Sequence, residues 1–393
     1  WRERFTKSHT CTPRNVILVH SGAFAKYVGR LDVVFRQKEV PGNDWEVASS
    51  EYKAIPVDAS VAKEPLVEEM LEKYRDVLNQ AMQLDLILGY APATVARFGT
   101  YGGDSQLGNV VADSMRKRKG VETDFALTNS LGIRSDIYAG PVTVDDMYNV
   151  FPFENTIVTM YLSGREVVEM FDYLARRTGV RGCQTQAQIS GARVVLQCGR
   201  CDASMRPAEW TAVDPDAEGC AYSIEILGEP VSLDSQYQVA VNDYISKGGS
   251  GFMVLKRNTT QINTGIPLRE ALMDTMRQGK ACGSLDACTT DADCNSQNYT
   301  CACDARSAWD SGSASCTKGQ QCEQGAGVCV LSACVTDVST RFVANCAGGT
   351  NTADYQQCAC EQTARAMSQC GSTACIDPSN GFLEDERIKT LPP

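Results

Sequence analysis

Histidine is nearly absent from this 393-residue chain, with only His9 and His20. That scarcity excludes a Cys₂His₂ zinc pattern and leaves little room for a Ser-His-Asp triad. Basic residues are also short: the formal net charge is −11, against the basic face that nucleic-acid binding calls for. No run of roughly 18 apolar residues occurs, so no stretch reads as a membrane-spanning helix. There is no P-loop. Gly248-Gly249-Ser250-Gly251-Phe252 lacks the last glycine of a nucleophile elbow. No signal peptide is legible, and the chain opens on Trp1. The expectation is a processed or partial chain whose upstream part is missing.

Cysteine is abundant instead. Of 19 cysteines, 14 lie between Cys282 and Cys375. An all-cysteine zinc module would repeat C-x₂-C pairs. The spacings here, such as Cys282-x₅-Cys288-x₅-Cys294-x₆-Cys301-x-Cys303, read as a disulfide framework formed in an oxidising compartment. The expected localisation is therefore extracytoplasmic: secreted, periplasmic or cell-surface. Cys198-Gly199-Arg200-Cys201 lacks a thioredoxin-like context and reads as a short structural disulfide closing a loop. Cys183 and Cys220 are expected to pair likewise. If 18 cysteines pair, Cys11 is the candidate left over to bridge a separated chain. Asn258-Thr259-Thr260 and Asn298-Tyr299-Thr300 are glycosylation sequons.

Periodicity predicts the elements. Two β-branched runs, Arg14 to His20 and Leu31 to Phe35, suggest strand-turn-strand, and 44–60 reads as extended and polar. Leu66, Met70, Leu71, Tyr74, Leu78, Met82 and Leu86 recur at helical spacing over 61–88, with Pro65 near the start. Helices are expected at 107–117, 165–177 and 264–280, and strands at 125–128, 156–161 and 237–241. This alternation predicts an α/β or α+β domain. From Ala281 the composition turns to Cys, Ser, Thr, Gly, Asp and Asn, which cannot bury a large core and needs covalent staples. The expected organisation is 1–60, the end of an upstream domain; 61–90, a connecting helix; 91–280, the α/β domain; 281–376, a small loop-dominated disulfide-rich module; and 377–393, a loosely ordered charged tail.

Five stretches together resemble the 5′-nucleotidase family, in the family's order and over about residues 10–280. They are Ser21 to Asp32, Leu107-Gly108-Asn109-Val110-Val111-Ala112-Asp113, Thr128-Asn129-Ser130-Leu131-Gly132-Ile133-Arg134, Phe151-Pro152-Phe153-Glu154-Asn155, and Asn242-Asp243-Tyr244 with Gly248 to Phe252. The resemblance implies an α/β (α+β) 5′-nucleotidase C-terminal-type domain that holds a nucleoside or nucleotide. The chemistry would come from an N-terminal domain with two divalent metals. It implies Phe153 and Tyr244 as rings sandwiching the base, where each stacking contact is worth roughly 1–3 kcal/mol. Asn155 would meet the base edge, and Asn129 and Arg134 would contact the sugar or anchor the substrate loop. By composition alone Phe153 and Tyr244 read equally as core aromatics.

The chain departs from the family pattern. Where the family has G-H-x-H it has Lys7-Ser8-His9, and an ammonium offers no lone pair to a metal. His9 is the one surviving ligand candidate, so no catalytic residue and no cofactor are expected in this chain; metals are expected only with an intact upstream domain. Gly103 stands where an arginine is expected, with Arg97 as a candidate replacement. Ser250 replaces an aspartate, and Ser130-Leu131 replace glycines. Two functions follow: the nucleoside-binding part of a secreted nucleotide phosphohydrolase, or an inactive extracellular recognition or assembly protein using the cysteine-rich region. The partners expected are a nucleoside or nucleotide, a cleaved upstream chain, or further copies of the chain.

Overall fold

The structure, a computed structural model, describes residues 16–22, 26–37, 45–58, 60–210, 218–289, 291–294, 298–302, 327–346 and 353–391. The chain divides into two compact units, Trp1–Leu78 and Asn79–Pro393.

In the first unit β1 (Tyr27–Gln37) and β2 (Trp45–Pro56) form an antiparallel hairpin with a register shift after Val34. The strand predicted at 14–20 is not formed over its described residues, 16–20. The partner is the segment read as merely extended. Alternation explains the pairing: Leu31 lies opposite Tyr52, Phe35 opposite Val47 and Tyr27 opposite Pro56, which gathers apolar groups on one face. Helix α1 (Pro65–Met82) follows, with Pro65 at its first position. Leu66, Met70 and Tyr74 on α1, and Phe35 and Trp45 on the hairpin, are all exposed.

The second unit runs through β3 (Ile87–Ala91), α2 (Gln106–Arg116), β4 (Phe125–Asn129), β5 (Gly140–Thr143), α3 (Val144–Val150), β6 (Thr156–Ser163) and α4 (Gly164–Gly179). Next come β7 (Ala187–Ser190), β8 (Ala192–Arg200), β9 (Glu218–Ile226), β10 (Glu229–Pro230) and β11 (Gln236–Asn242). Two short helical turns, α5 (Asp243–Ser246) and α6 (Met253–Lys256), lead to β12 (Ile262–Pro267) and α7 (Leu268–Arg277). The helix predicted from 264 thus begins at 268, after a strand.

The central sheet has the order β12-β6-β11-β4-β7, with β4 and β11 parallel. Its strands divide their side chains between two cores by simple alternation. Phe125, Leu127, Val158, Met160, Val239 and Val241 enter one core, with Val167, Phe171 and Leu174 of α4 and Val194 and Ile224 of the sheet β10-β9-β8. Ala126, Ile157 and Ala240 enter the other, with Leu107, Val110 and Met115 of α2 and Leu268 and Leu272 of α7. Burial on both faces is why these strands read as near-continuous apolar runs. Ser105 caps α2 by accepting from Gly108 N, and Ser163 and Glu166 form a capping box on α4.

The cysteine-rich region is an insertion in this unit. It contains β13 (Gly283–Cys288), β14 (Tyr299–Ala302), β15 (Gly327–Leu331), α8 (Ser332–Val343) and α9 (Ala353–Ser372), so helices accompany its loops. Among the described residues, five bridges cross it: Cys282–Cys375, Cys288–Cys301, Cys294–Cys329, Cys334–Cys370 and Cys346–Cys358. The chain then returns: β16 (Ala374–Cys375) pairs with β3, and β17 (Ile388–Leu391) pairs in parallel with Val194–Gln197 of β8. The expected loose tail is thus a sheet strand over 388–391, because Ile388 fills the domain core and Arg387 finds a half-buried carboxylate.

The loop-closing Cys198–Cys201 bridge is also corrected. The bridges are Cys183–Cys198, with Cα atoms 5.6 Å apart, and Cys201–Cys220, with Cα atoms 5.9 Å apart. Three residues of extended chain span ~10 Å, too far for a disulfide. Cys11, Cys303, Cys316 and Cys322 lie outside the described residues, as does the side chain of Cys360.

Candidate functional site

The topology brings all five expected binding residues to one end of the central sheet. Asn129 ends β4, and Tyr244 follows the end of β11, which runs parallel to it. Phe153 and Asn155 precede β6, whose Ile157 pairs with Asn242. Strand ends are where such sheets leave backbone free to approach a ligand.

Hydrogen bonds lock this end together. Asn242 Nδ2 donates to Asn129 Oδ1 (2.7 Å) and Thr128 Oγ1 (3.0 Å), while Asn242 Oδ1 accepts from Ile245 N. Asn155 Nδ2 donates to Asp243 Oδ1 at 2.7 Å, joining the Phe153 loop to the Tyr244 turn. Burial pushes the Asp243 carboxyl up, but the hydrogen bonds from Lys247 and Asn155 prevail and hold it below its ordinary value. The Phe153 loop is held from behind by Arg269, a buried guanidinium that donates to Phe151 O (2.7 Å) and Glu154 Oε1 (2.6 Å).

Phe153 and Tyr244 are not core aromatics: they are 55% and 49% exposed. The Arg134 guanidinium lies 5.9 Å from the Phe153 ring centre, on one of its faces. Tyr244 Oη accepts from Ser250 N (3.2 Å), and Tyr173 Oη donates to Ser250 O (2.8 Å). These two bonds pin Ser250, a non-glycine residue at φ 56°. A Cβ at Gly249 would meet Tyr244 Cε1 at 2.6 Å, so the loop needs glycine to seat the ring. Leu131 carries no such strain: Ser130–Gly132 is a 3₁₀ turn, and none of its residues has positive φ. Its carbonyl accepts from Arg134 Nη1.

The other departures acquire physical reasons. A Cβ at Gly103 would stand 2.1 Å from Ile388 O, so the returning C-terminal segment leaves no room for a side chain there. Asp104 accepts from Asn109 Nδ2 (2.6 Å) and from Asp385 N (3.1 Å). Asn109 also donates to Leu383 O (2.9 Å). Asp113 pairs with Arg387 at 2.6 Å. Burial raises the Asp113 carboxyl, and the Arg387 guanidinium more than reverses that, holding it below the ordinary range. The Leu-Gly-Asn motif thus receives the chain's own end, a role that no local sequence pattern announces. Asp243 was also missed, although it sits inside the Asn-Asp-Tyr motif.

His9 and Lys7 lie outside the described residues. His20 is exposed, and its Nδ1 accepts from Gly22 N. Among the described residues, Cys288, Cys294 and Cys329 come together as potential metal ligands. All three are in disulfides and offer no thiolate, so they do not fit the two divalent metals that the resemblance implies. Among the described residues no helix is long and apolar enough to cross a membrane.

Residues 87–257 match the family model described as 5′-nucleotidase, C-terminal domain. The 5′-nucleotidase of Vibrio vulnificus (strain CMCP6) is 23% identical over 290 residues, covering 70% of this chain and 48% of that protein. The apyrase of Tabanus yao is 23% identical over 265 residues, covering 64% of this chain and 45% of that protein. The crystal structure of a 5′-nucleotidase precursor from Thermus thermophilus aligns with TM-score 0.48 at 29% identity, covering 63% of this chain and 46% of that one. The chain spans about half the length of these relatives.

Proposed function

We propose, from the premise that the domain at residues 87–257 belongs to the 5′-nucleotidase C-terminal family, that it holds the nucleoside of a nucleotide substrate outside the cytoplasm. The base would lie between Phe153 and Tyr244, with Asn155 Oδ1 toward its edge. Asn129 and Arg134 would face the sugar. Phosphate-ester cleavage would belong to a metal-binding domain of which residues 1–60 are the last part.

The observation that carries this reading is the gathering of five residues from three sheet strands at one end, with both rings half exposed. A nucleoside site needs apolar faces open to a ligand and polar groups already oriented. The seven described disulfides support an oxidising compartment.

Titration with adenosine, followed by intrinsic Tyr and Trp fluorescence, tests the pocket. A saturable change is expected, and it should vanish in the double variant Phe153→Ala, Tyr244→Ala. No response up to millimolar adenosine would sink the reading. Metal content and phosphate release from AMP, measured on the natural full-length protein, test the division of labour.

A second reading, an inactive recognition or assembly protein, is favoured by Gly103. The contact with Ile388 O forbids the arginine that the family pattern places there. Adenosine binding without phosphate release would select it.

A further inference from the structure

The position of Arg97 carries an inference beyond the five expected residues. Arg97 lies between β3 and α2, outside every motif of the resemblance. It does not replace the arginine missing at 103 by reaching into the site. Its Nη1 donates to two successive backbone carbonyls, Ile133 O (3.1 Å) and Arg134 O (2.7 Å). Its backbone N donates to Asp136 Oδ1 at 2.9 Å. Its guanidinium stacks on the neighbouring Phe98 ring, 4.7 Å from the centre. Val95 and Ile137 exchange two backbone hydrogen bonds just behind. One short segment therefore grips the far half of the 129–136 loop, the half that ends on Arg134.

Arg134 stands at the end of that grip. Its own N bonds to Val150 O, and its Nη1 turns back to Leu131 O. With the backbone fixed on both sides, its guanidinium is set against Phe153. Nη1 of Arg97 spends both its hydrogens on these carbonyls while the flat guanidinium keeps its face on Phe98; an ammonium has no such plane to stack and sits on a flexible stem.

We propose that Arg97 is a positioning residue for the nucleoside site, acting through the backbone of Ile133 and Arg134 to present Arg134 beside Phe153. This rests on the nucleoside reading above.

The test uses Arg97→Gln and Arg97→Lys, each also combined with Arg134→Ala. Arg97→Gln should weaken adenosine binding about tenfold, the equivalent of ~1.4 kcal/mol. Arg97→Lys should recover little. In the Arg134→Ala background the same change should have almost no further effect, since the two act as one unit. Hydrogen exchange supplies a readout without ligand: amides 130–136 should exchange faster in Arg97→Gln, while those of β6 stay unchanged. Unaltered adenosine affinity overturns the proposal, even if the loop loosens. So does an additive loss in the Arg134→Ala background. If the unmodified protein binds no adenosine, the nucleoside reading fails first, and unchanged exchange at 130–136 would then overturn the positioning role as well.

Discussion

The α/β domain at 87–277 and the insertion between Cys282 and Cys375 hold their shapes by different means, although they share a sheet edge. The domain buries two apolar cores on opposite faces of one sheet. Within the domain itself, two disulfides close loops of 15 and 19 residues. In the insertion the proportions are reversed. Five described bridges cross it, and its small core is built partly of the cystines themselves, Cys282, Cys334, Cys370 and Cys375, packed with Val330, Val338 and Tyr90 of β3. Tyr90 also donates from Oη to Asp337 at 2.8 Å, and burial followed by that carboxylate pushes its phenol well above the ordinary value. Covalent staples take over where apolar surface is scarce.

Three measurements would break or sharpen this comparison. The largest effect is expected from removing staples. Replacing Cys282 and Cys375 with Ser opens a loop of 93 residues, worth ~4–5 kcal/mol on the chain-entropy account. Adding Cys334→Ser and Cys370→Ser should leave the insertion unprotected in hydrogen exchange, while amides of β4 and β11 stay slow. Loss of protection in those central strands would show that the domain leans on the insertion.

The reverse experiment attacks packing. Phe171 on α4 is fully buried, and Phe171→Ala should cost ~3–5 kcal/mol by denaturant unfolding. All the disulfides would remain formed. A change under ~1 kcal/mol would deny that the domain rests on its core.

A smaller effect concerns the returning end. Arg387→Gln removes the guanidinium from the half-buried Asp113 carboxylate, to which Lys117 and Ser190 stay bonded, and should cost ~1 kcal/mol. It should also alter the pH dependence. The carboxyl of Asp113 is depressed in the folded state, so its contribution is present above the unfolded value of about 4 and fades as pH falls through the lower folded value. In Arg387→Gln that fading should move toward higher pH. An acid limb identical in both proteins would count against the ion pair.

The sequence was legible where local pattern and tertiary environment agree. Strands such as Phe125–Asn129 and helices such as Gly164–Gly179 fall within a few residues of expectation, because apolar patterning marks them. The fold also gathers at one sheet end the residues that the motifs of the resemblance mark. What stayed hidden depends on distant partners. The strand Ile388–Leu391 reads as charged tail until β8 is beside it. The cysteine pairing follows from strands β8 and β9, not from spacing along the chain. Gly103 looks like a loss from a binding site until Ile388 O is found against it. Arg97 stands in no motif, because what it holds is backbone.

The return of the chain to β8 also dictates an order of events during synthesis. Val194 leaves the ribosome long before its partner Ile388, and the whole insertion is made between them. The α/β domain must therefore wait with one sheet edge open and Asp113 without its arginine until the cysteine-rich stretch has passed. Such distant pairing is slow, and an open strand edge invites wrong partners in the interval. Delayed oxidation of the insertion would prolong that interval, so the cell's disulfide machinery also governs how soon a domain with few disulfides of its own can be completed.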